Sequence, residues 1–288
     1  MNGLALCAGI GGIELGLALA VPQYRTVGYI ECDPFAADVL AARMRDGLLP
    51  DAPIWSHVET WDSSPWIGNI EIISAGFPCQ PWSVAGRKRG INDERWIWRH
   101  ISRTVREVRP QYVFLENVVG LLNTGIGHVL RDLAQSGYDA EWDVFSAQDC
   151  GAPHLRKRAF VLAYARSINL EQLRETAEAR IGQLGDTGLL GFKGPFRQDC
   201  HSSERLPTWP PGPDELDQWE QVVSIDPTLE PTLCGMADGV AMGLEQSACQ
   251  NRKERIRALG NAVVPVVAAV AFLTLARRAE VRNPRTFK

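Results

Sequence analysis

One cysteine stands in a setting that favours covalent chemistry over packing. Cys79 lies between two prolines in the sequence Gly-Phe-Pro-Cys-Gln-Pro, directly after the apolar segment 70–74, which predicts a buried strand. A lone cysteine is more often an inert core residue. Here the prolines stiffen a loop that follows a strand, at the edge where α/β sheets keep their sites. We therefore interpret Cys79 as a nucleophile.

Three charged side chains could act beside that thiol. Glu116 follows the predicted strand 112–115, where a carboxyl group can serve as an acid or a hydrogen-bonding group. A helix cap is the alternative for this residue. Arg156 and Arg158 alternate on an extended segment, so both can point to one side and meet a carboxylate or a base carbonyl. A solvated basic strand is an even alternative for the two arginines.

A glycine turn near the start of the chain could hold a nucleotide-like ligand. The predicted strand 4–7 enters Ala-Gly-Ile-Gly-Gly and a helix follows, so backbone N–H groups can approach a ligand closely. Glu31 ends the next predicted strand and is placed to accept hydrogen bonds from ribose hydroxyls. The glycine spacing does not favour a dinucleotide, and a purely structural turn is the stronger interpretation of the turn by itself.

The elements that would position these residues alternate between strand and helix. Their order through residue 165 predicts an α/β, Rossmann-like fold with a mostly parallel sheet and helices on both faces. Residues 166–254 have weak periodicity and many Gly, Pro and acidic residues, which predicts a small irregular domain. An apolar helical pattern returns from 255 to about 277. We predict that residues 1–165 form the first domain, and that 255–288 fold back to complete it.

Composition restricts the class of protein further. The 288 residues carry a net charge of −4, so any surface for nucleic acid must be local, and basic clusters at 87–89, 156–158 and 252–257 could supply it. The seven cysteines form no C-x-x-C pair, which argues against a disulfide framework and a zinc ribbon. No apolar run approaches the roughly 20 residues of a membrane span. We expect a cytoplasmic protein without a metal or a membrane.

Six motifs occur in an order that is typical of one enzyme family. In chain order they are Ala8-Gly9-Ile10-Gly11-Gly12, Glu31, Gly76-Phe77-Pro78-Cys79-Gln80, Glu116-Asn117-Val118, Arg156-x-Arg158 and Gly260-Asn261-Ala262-Val263-Val264-Pro265. This set resembles the DNA (cytosine-5) methyltransferases. The resemblance covers residues 1–165 and about 255–280.

The resemblance implies roles for the charged and nucleophilic residues. Cys79 would attack carbon 6 of a cytosine that is flipped out of double-stranded DNA, and Glu116 would hold the nitrogen 3 edge of the ring. Arg156 and Arg158 would orient Glu116 and the base carbonyl. Residues 80–98 would close over the base, and 166–254 would recognise the target sequence. A monomer suffices, because one flipped base needs one active site.

The resemblance also implies S-adenosyl-L-methionine as methyl donor, S-adenosyl-L-homocysteine as product and no metal. The residues it assigns to the cofactor pocket are Cys7, Gly9, Gly12, Glu31, Cys32, His57, Val58, Pro78, Asn261, Ala262 and Val263. Asp62 is an alternative to His57 as the partner of the adenine amino group.

Three other functions compete with this interpretation. A transfer RNA cytosine-5 methyltransferase has the same fold, but its usual Cys-Phe-Thr triplet is absent from 166–254. A catalytically inactive DNA-binding relative would have no need of Cys79 and Glu116. A nicotinamide-dependent oxidoreductase would explain the glycine turn and leave the Pro-Cys-Gln and Glu-Asn-Val motifs unexplained.

Overall fold

The computed structural model describes residues 1–78, 96–152, 154–186, 216–225 and 252–282. Its centre is a seven-stranded sheet with the spatial order β3-β2-β1-β4-β5-β7-β6. The strands are β1 (Asn2–Leu6), β2 (Arg25–Ile30), β3 (Ile54–Trp55), β4 (Ile72–Gly76), β5 (Tyr112–Val118), β6 (Tyr138–Phe145) and β7 (Arg158–Ala165). Strands β1 to β5 pair in parallel, and β7 is antiparallel to both of its neighbours. The predicted α/β fold with a mostly parallel sheet is confirmed.

Helices cover both faces of this sheet. In the described residues they are α1 (Gly12–Ala20), α2 (Pro34–Arg45), α3 (Trp98–Val108), α4 (Leu121–Thr124), α5 (Ile126–Gln135), α6 (Glu171–Asp186), α7 (Leu216–Ile225), α8 (Arg252–Asn261) and α9 (Pro265–Arg282). Helices α1, α6 and α9 share one apolar core, and α3 and α5 share another on the opposite face.

The central strands are apolar at almost every position because both of their faces are buried. In β4, Ile72 belongs to the core under α1 and α9, whereas Ile73 belongs to the core under α3 and α5. In β5, Phe114 belongs to the core under α1 and α9, and Val113 belongs to the core under α3 and α5. Successive side chains of a strand point to opposite faces, so neighbouring residues feed different cores.

Strand β4 lies two residues further along the chain than the sequence predicted. The prediction was 70–74, and the strand runs from Ile72 to Gly76. Pairing with β5 continues to the end, with Gly76 opposite Glu116, because the hydrogen-bonded ladder outlasts the apolar run. The ends of β4 and β5 therefore place Gly76 and Glu116 side by side at the carboxyl edge of the sheet.

The C-terminal region contains two helices, where the apolar pattern predicted one. Helix α8 ends at Asn261 and α9 begins at Pro265. Proline lacks an N–H group and disfavours helical geometry in the residue before it, so it breaks a helix and suits the first position of a new one. By length and composition the stretch Arg257–Ala279 could cross a membrane, but half of it is buried within the protein. Residues 267–273 of α9 are buried in the core that α9 shares with α1.

Helix α6 extends that core beyond the predicted domain boundary. It packs against α9, and its Leu173 and Ala177 are buried in the same cluster as Phe272. Residues 166–186 therefore begin the region predicted as a separate domain, yet they contribute to the core of the first one. The rest of that region, apart from α7 and the first three residues of α8, lies outside the described residues.

Candidate active site

The glycine turn after β1 is built from left-handed backbone. Cys7, Gly9 and Gly11 have φ angles of 51°, 56° and 82°. A Cβ atom added to Gly9 would meet nothing within 4 Å, whereas one on Gly11 would lie 2.6 Å from a methyl carbon of Leu49. Gly11 is therefore needed for packing. Gly9 leaves open space at the place where the sequence predicts a ligand.

Glu31 follows β2 and closes this turn from the other side. One of its carboxylate oxygens, Oε2, accepts a hydrogen bond from the Gly9 N–H at 2.6 Å, and Oε1 accepts one from the Asp33 N–H at 2.8 Å. The residue is only 9% exposed. An ionised carboxylate has about four lone-pair sites, so two remain for ribose hydroxyls. The sequence predicted the ligand role, and the structure adds that Glu31 also shapes the turn.

The two cysteines assigned to the pocket are neutral thiols. Burial, reinforced by Glu31, raises the pKa of the Cys7 thiol far above its ordinary value. Burial and the same carboxylate also raise the pKa of Cys32. Neither thiol has the depressed pKa of a reactive cysteine, so these residues can line a pocket but are poor nucleophiles.

The segment after β3 offers two candidates for the adenine contact. His57 is exposed and Val58 is buried. Asp62 is occupied locally: its Oδ1 accepts hydrogen bonds from the Ser64 N–H at 3.0 Å and from the Ser64 hydroxyl at 2.6 Å. Asp62 therefore uses Oδ1 to hold Ser64 at the start of the 3₁₀ turn Ser64–Trp66.

The C-terminal segment 261–263 returns to the glycine turn. A Cβ on Gly12 would lie 2.2 Å from the Val263 carbonyl oxygen, so only glycine permits this approach. Four residues later, a Cβ on Gly16 would lie 2.6 Å from both the Ala268 Cβ and the Pro265 carbonyl oxygen. Asn261 is exposed and Val263 is buried. Gly12 therefore packs directly against the C-terminal segment, and a side chain at this position would collide with Val263.

The carboxyl edge also holds a buried ion pair. Arg158, the first residue of β7, places its Nε 3.0 Å from Oε1 of Glu116, which is 7% exposed. Burial raises the pKa of the Glu116 carboxyl to about 7, although the positive charges of Arg158 and Arg156 oppose the shift. A group with this pKa exchanges a proton readily near neutral pH.

Asn117 fixes the chain as it leaves β4, a contact that sequence reasoning missed. Its Nδ2 donates to the Phe77 carbonyl oxygen at 2.7 Å, and its Oδ1 accepts from the Val118 N–H at 2.9 Å. The Glu-Asn-Val motif was the signal for this contact, since it contains a second polar residue at the strand end. Asn117 thereby orients Phe77 and the exposed Pro78. Cys79 and the remainder of 79–95 lie outside the described residues.

Arg156 is not part of the ion pair, because its guanidinium donates hydrogen bonds to backbone carbonyl oxygens instead. The resemblance implied that the two arginines orient Glu116 and the base carbonyl. In the structure the Nη2 of Arg156 donates to the carbonyl oxygens of Leu259 at 3.3 Å, Gly260 at 2.8 Å and Ala262. Only Arg158 contacts Glu116 directly. Arg156 influences that carboxyl through its charge alone.

Comparison with known proteins assigns a family to this arrangement. The profile of the C-5 cytosine-specific DNA methylases matches residues 1–187. The chain belongs to this family. The match covers every described strand, together with Glu31, Glu116 and both arginines.

Curated type II methyltransferases are similar to more than half of the chain. The type II methyltransferase M.NgoMIV of Neisseria gonorrhoeae is 33% identical over 164 residues, 56% of this chain and 50% of the relative. The type II methyltransferase M.HhaI of Haemophilus parahaemolyticus is 30% identical over 174 residues, 59% of this chain and 50% of the relative. The chain spans about half the length of these relatives.

A solved methylase-like structure is similar over nearly the whole chain. The Entamoeba histolytica methyltransferase EhMeth has a TM-score of 0.52 and 14% identity, and 97% of each chain is covered. At this identity the likeness concerns the fold alone. Among the described residues, no group of three or more His, Cys, Asp or Glu side chains could hold a metal ion.

Proposed function

We propose that this chain is a DNA (cytosine-5) methyltransferase that flips a cytosine out of double-stranded DNA and methylates its carbon 5. The observation that carries the proposal is the buried Glu116–Arg158 pair, which lies beside the strand leading to Cys79. The match of residues 1–187 to the C-5 cytosine-specific DNA methylases supports it.

The cofactor of this reaction is S-adenosylmethionine, and the residues of the glycine turn fit it. Open space above Gly9 admits a ligand close to the backbone, and Glu31 keeps lone pairs for ribose hydroxyls. The other residues that would hold it are Cys7, Gly12, Cys32, His57, Val58, Pro78, Asn261, Ala262 and Val263. When bound, the cofactor supplies an electrophilic methyl group and leaves as S-adenosylhomocysteine.

Glu116 would prepare the cytosine ring for attack. Carbon 6 of a neutral cytosine is a poor electrophile, and it becomes a better one when nitrogen 3 receives a proton or a strong hydrogen bond. With a pKa of about 7, Glu116 is protonated in a large fraction of molecules at neutral pH and can donate to nitrogen 3. Arg158 fixes the carboxyl group and leaves donors for the neighbouring base carbonyl.

Cys79 would complete the chemistry as the nucleophile. Addition of its thiolate to carbon 6 makes carbon 5 electron-rich, so that carbon 5 can accept the methyl group. Loss of the carbon 5 proton and elimination of the thiolate then restore the aromatic ring. Asn117 assists by holding the Phe77 carbonyl, two residues before the nucleophile. Residues 166–254 would contain the surface that reads the target sequence.

A methyl-transfer assay tests this proposal. Purified protein is incubated with tritiated S-adenosylmethionine and, in parallel, with DNA duplexes of varied sequence or with transfer RNA. We expect tritium in DNA as 5-methylcytosine and none from the Cys79→Ser variant. Incorporation into transfer RNA alone would indicate a transfer RNA cytosine-5 methyltransferase instead. Methylation at another atom of the base would contradict methylation at carbon 5.

A further inference from the structure

Three arginines outside the ion pair donate hydrogen bonds to backbone carbonyl oxygens in or next to different parts of the predicted cofactor pocket. Arg43 contacts the glycine turn, Arg103 contacts the segment after β3, and Arg156 contacts the end of α8 and the residue that follows this helix. We call these three residues the arginine braces.

The first brace reaches the glycine turn from α2. Arg43 lies in the last turn of this helix, and its Nη1 donates to the Ile10 carbonyl oxygen. Ile10 is flanked by two glycines with left-handed φ angles, and the Gly11 N–H donates to the Ala8 carbonyl oxygen at 2.9 Å. The half-buried guanidinium adds a partner for the Ile10 carbonyl oxygen on the other side of the same peptide group.

The second brace reaches the adenine side of the pocket from α3. Arg103 donates through Nη2 to the Val58 carbonyl oxygen at 2.9 Å and through Nη1 to the Glu59 carbonyl oxygen at 3.2 Å. Glu107, one helical turn further on, accepts a hydrogen bond from the Ser63 hydroxyl at 2.5 Å. Helix α3 therefore holds both ends of segment 58–63, which has little secondary structure of its own.

The third brace reaches the C-terminal segment from the loop before β7. Arg156 itself has a left-handed φ of 27°, a conformation that is strained for a residue with a side chain. It donates to three carbonyl groups, those of Leu259, Gly260 and Ala262, at the end of α8 and just beyond it. The last carbonyl groups of a helix lack partners within the helix, and a guanidinium satisfies them well.

We propose that Arg43, Arg103 and Arg156 are positioning residues that set the affinity for S-adenosylmethionine by fixing the backbone of three pocket loops before the ligand arrives. The inference rests on the proposed function. The physical reason is preorganisation. Ordering a mobile loop on binding costs conformational entropy and weakens the affinity for the ligand, whereas a loop that is already fixed adds no such cost. Arginine suits this task because its planar, permanently charged fork can reach several carbonyl oxygens at once.

Calorimetric titration with S-adenosylhomocysteine tests the proposal in the full chain. Arg43→Gln, Arg103→Gln and Arg156→Gln should each raise the Kd by roughly 5- to 50-fold, since each loses charge-assisted hydrogen bonds. The corresponding lysine variants keep the charge but not the fork, so they should recover part of the affinity. With S-adenosylmethionine and DNA, KM for the cofactor should rise by a larger factor than kcat falls.

Arg180 provides a matched control. Its Nε and Nη2 donate to the Leu19 carbonyl oxygen at 3.1 and 2.9 Å, which is the same type of contact at the far end of α1. Arg180→Gln should leave the Kd within about twofold of the wild-type value. Hydrogen exchange gives a readout without ligand: amides of 9–11, 57–60 or 259–263 should exchange faster only in the variant of their own brace.

The outcomes separate this inference from the proposed function. Wild-type protein that binds no S-adenosylhomocysteine would overturn both. Normal binding by the wild type, with unchanged Kd and unchanged loop exchange in the brace variants, would overturn the inference and leave the function standing. If a glutamine variant does not fold, the lysine variant decides: an unchanged Kd and unchanged exchange in its loop would contradict the role.

Discussion

Burial raises the pKa of two carboxyl groups, those of Glu116 and Glu14, but the two groups have different partners. Glu116 is stabilised by Arg158, and its pKa still rises to about 7 because it is buried. Glu14 of α1 is 2% exposed, and its Oε1 accepts one hydrogen bond, from the Ser74 hydroxyl at 2.7 Å. Its Oε2 has no hydrogen-bond partner among the described residues. The two carboxyl groups therefore differ in their partners: an arginine for Glu116 and a hydroxyl group for Glu14.

Glu14 should make the stability of the protein depend on pH. Burial raises its pKa from 4.5 to about 7, so the folded state binds this proton more tightly than the unfolded state. The stability that it contributes is fully present below about pH 4.5 and is lost as the pH rises through about 7. Glu14→Gln does not titrate, and its amide oxygen can still accept from Ser74. Its free energy of unfolding should therefore exceed the wild-type value by roughly 3 kcal/mol at pH 8 and differ little at pH 4.5.

Urea unfolding of both proteins across that pH range measures this difference. Other groups titrate equally in the two proteins, so their contributions cancel in the comparison. A constant difference between pH 4.5 and pH 8 would show that Glu14 keeps an ordinary pKa in the folded protein.

At the scale of elements, the packing of α1 against α9 joins the two ends of the chain. Gly12 and Gly16, one helical turn apart, leave room for the Val263 and Pro265 carbonyl groups and the Ala268 side chain. This close approach places segment 261–263 beside the glycine turn. The C-terminal segment therefore packs against α1 at two glycines, Gly12 and Gly16.

Gly16→Ala should destabilise the protein by overpacking this contact. Its new Cβ would lie 2.6 Å from Ala268 Cβ and from the Pro265 carbonyl oxygen, so α9 must shift. We expect a loss of about 1–3 kcal/mol in the free energy of unfolding. Gly127→Ala in α5 is the matched control, because a Cβ there meets nothing within 4 Å. It should change stability by less than about 1 kcal/mol, and in the favourable direction.

Denaturant unfolding of the two alanine variants decides between packing and helix propensity. Equal or greater stability of Gly16→Ala would show that α1 and α9 are not in close contact. Weaker binding of S-adenosylhomocysteine by that variant would further indicate that the contact shapes the pocket.

Much of this arrangement could be predicted from residue type and spacing. Alternating apolar strands and helices predicted the sheet, and polar residues after strands, such as Glu31 and Glu116, predicted its functional edge. The partner of Arg156 could not be predicted, because backbone carbonyl groups carry no sequence signal. The same holds for Arg43 and Arg103. The end of β4 was misplaced because ladder pairing continued through Gly76, where the apolar pattern had already ended.

At the scale of the whole molecule, the parallel strands bring distant segments to one edge. Gly9, Glu31 and Pro78 follow strands of the sheet, Glu116 lies near the end of β5, and the antiparallel β7 brings Arg158 to the same edge. The basic cluster 156–158 also meets the end of α8 through Arg156. Within the cluster 252–257 of the same helix, Arg257 forms an ion pair with Asp33, with 3.3 Å between Nη2 and Oδ2, so part of its charge is balanced locally.

The most direct measurement is covalent trapping on DNA that contains 5-fluorocytosine. Fluorine at carbon 5 cannot leave as a proton does, so a thiolate that has added to carbon 6 stays attached once the methyl group is transferred. With S-adenosylmethionine present, we predict a protein–DNA adduct that survives denaturation and maps to Cys79, and no adduct with Cys79→Ser. Methyl transfer to ordinary DNA without any adduct on the fluorinated DNA, or an adduct at another residue, would contradict Cys79 as the nucleophile.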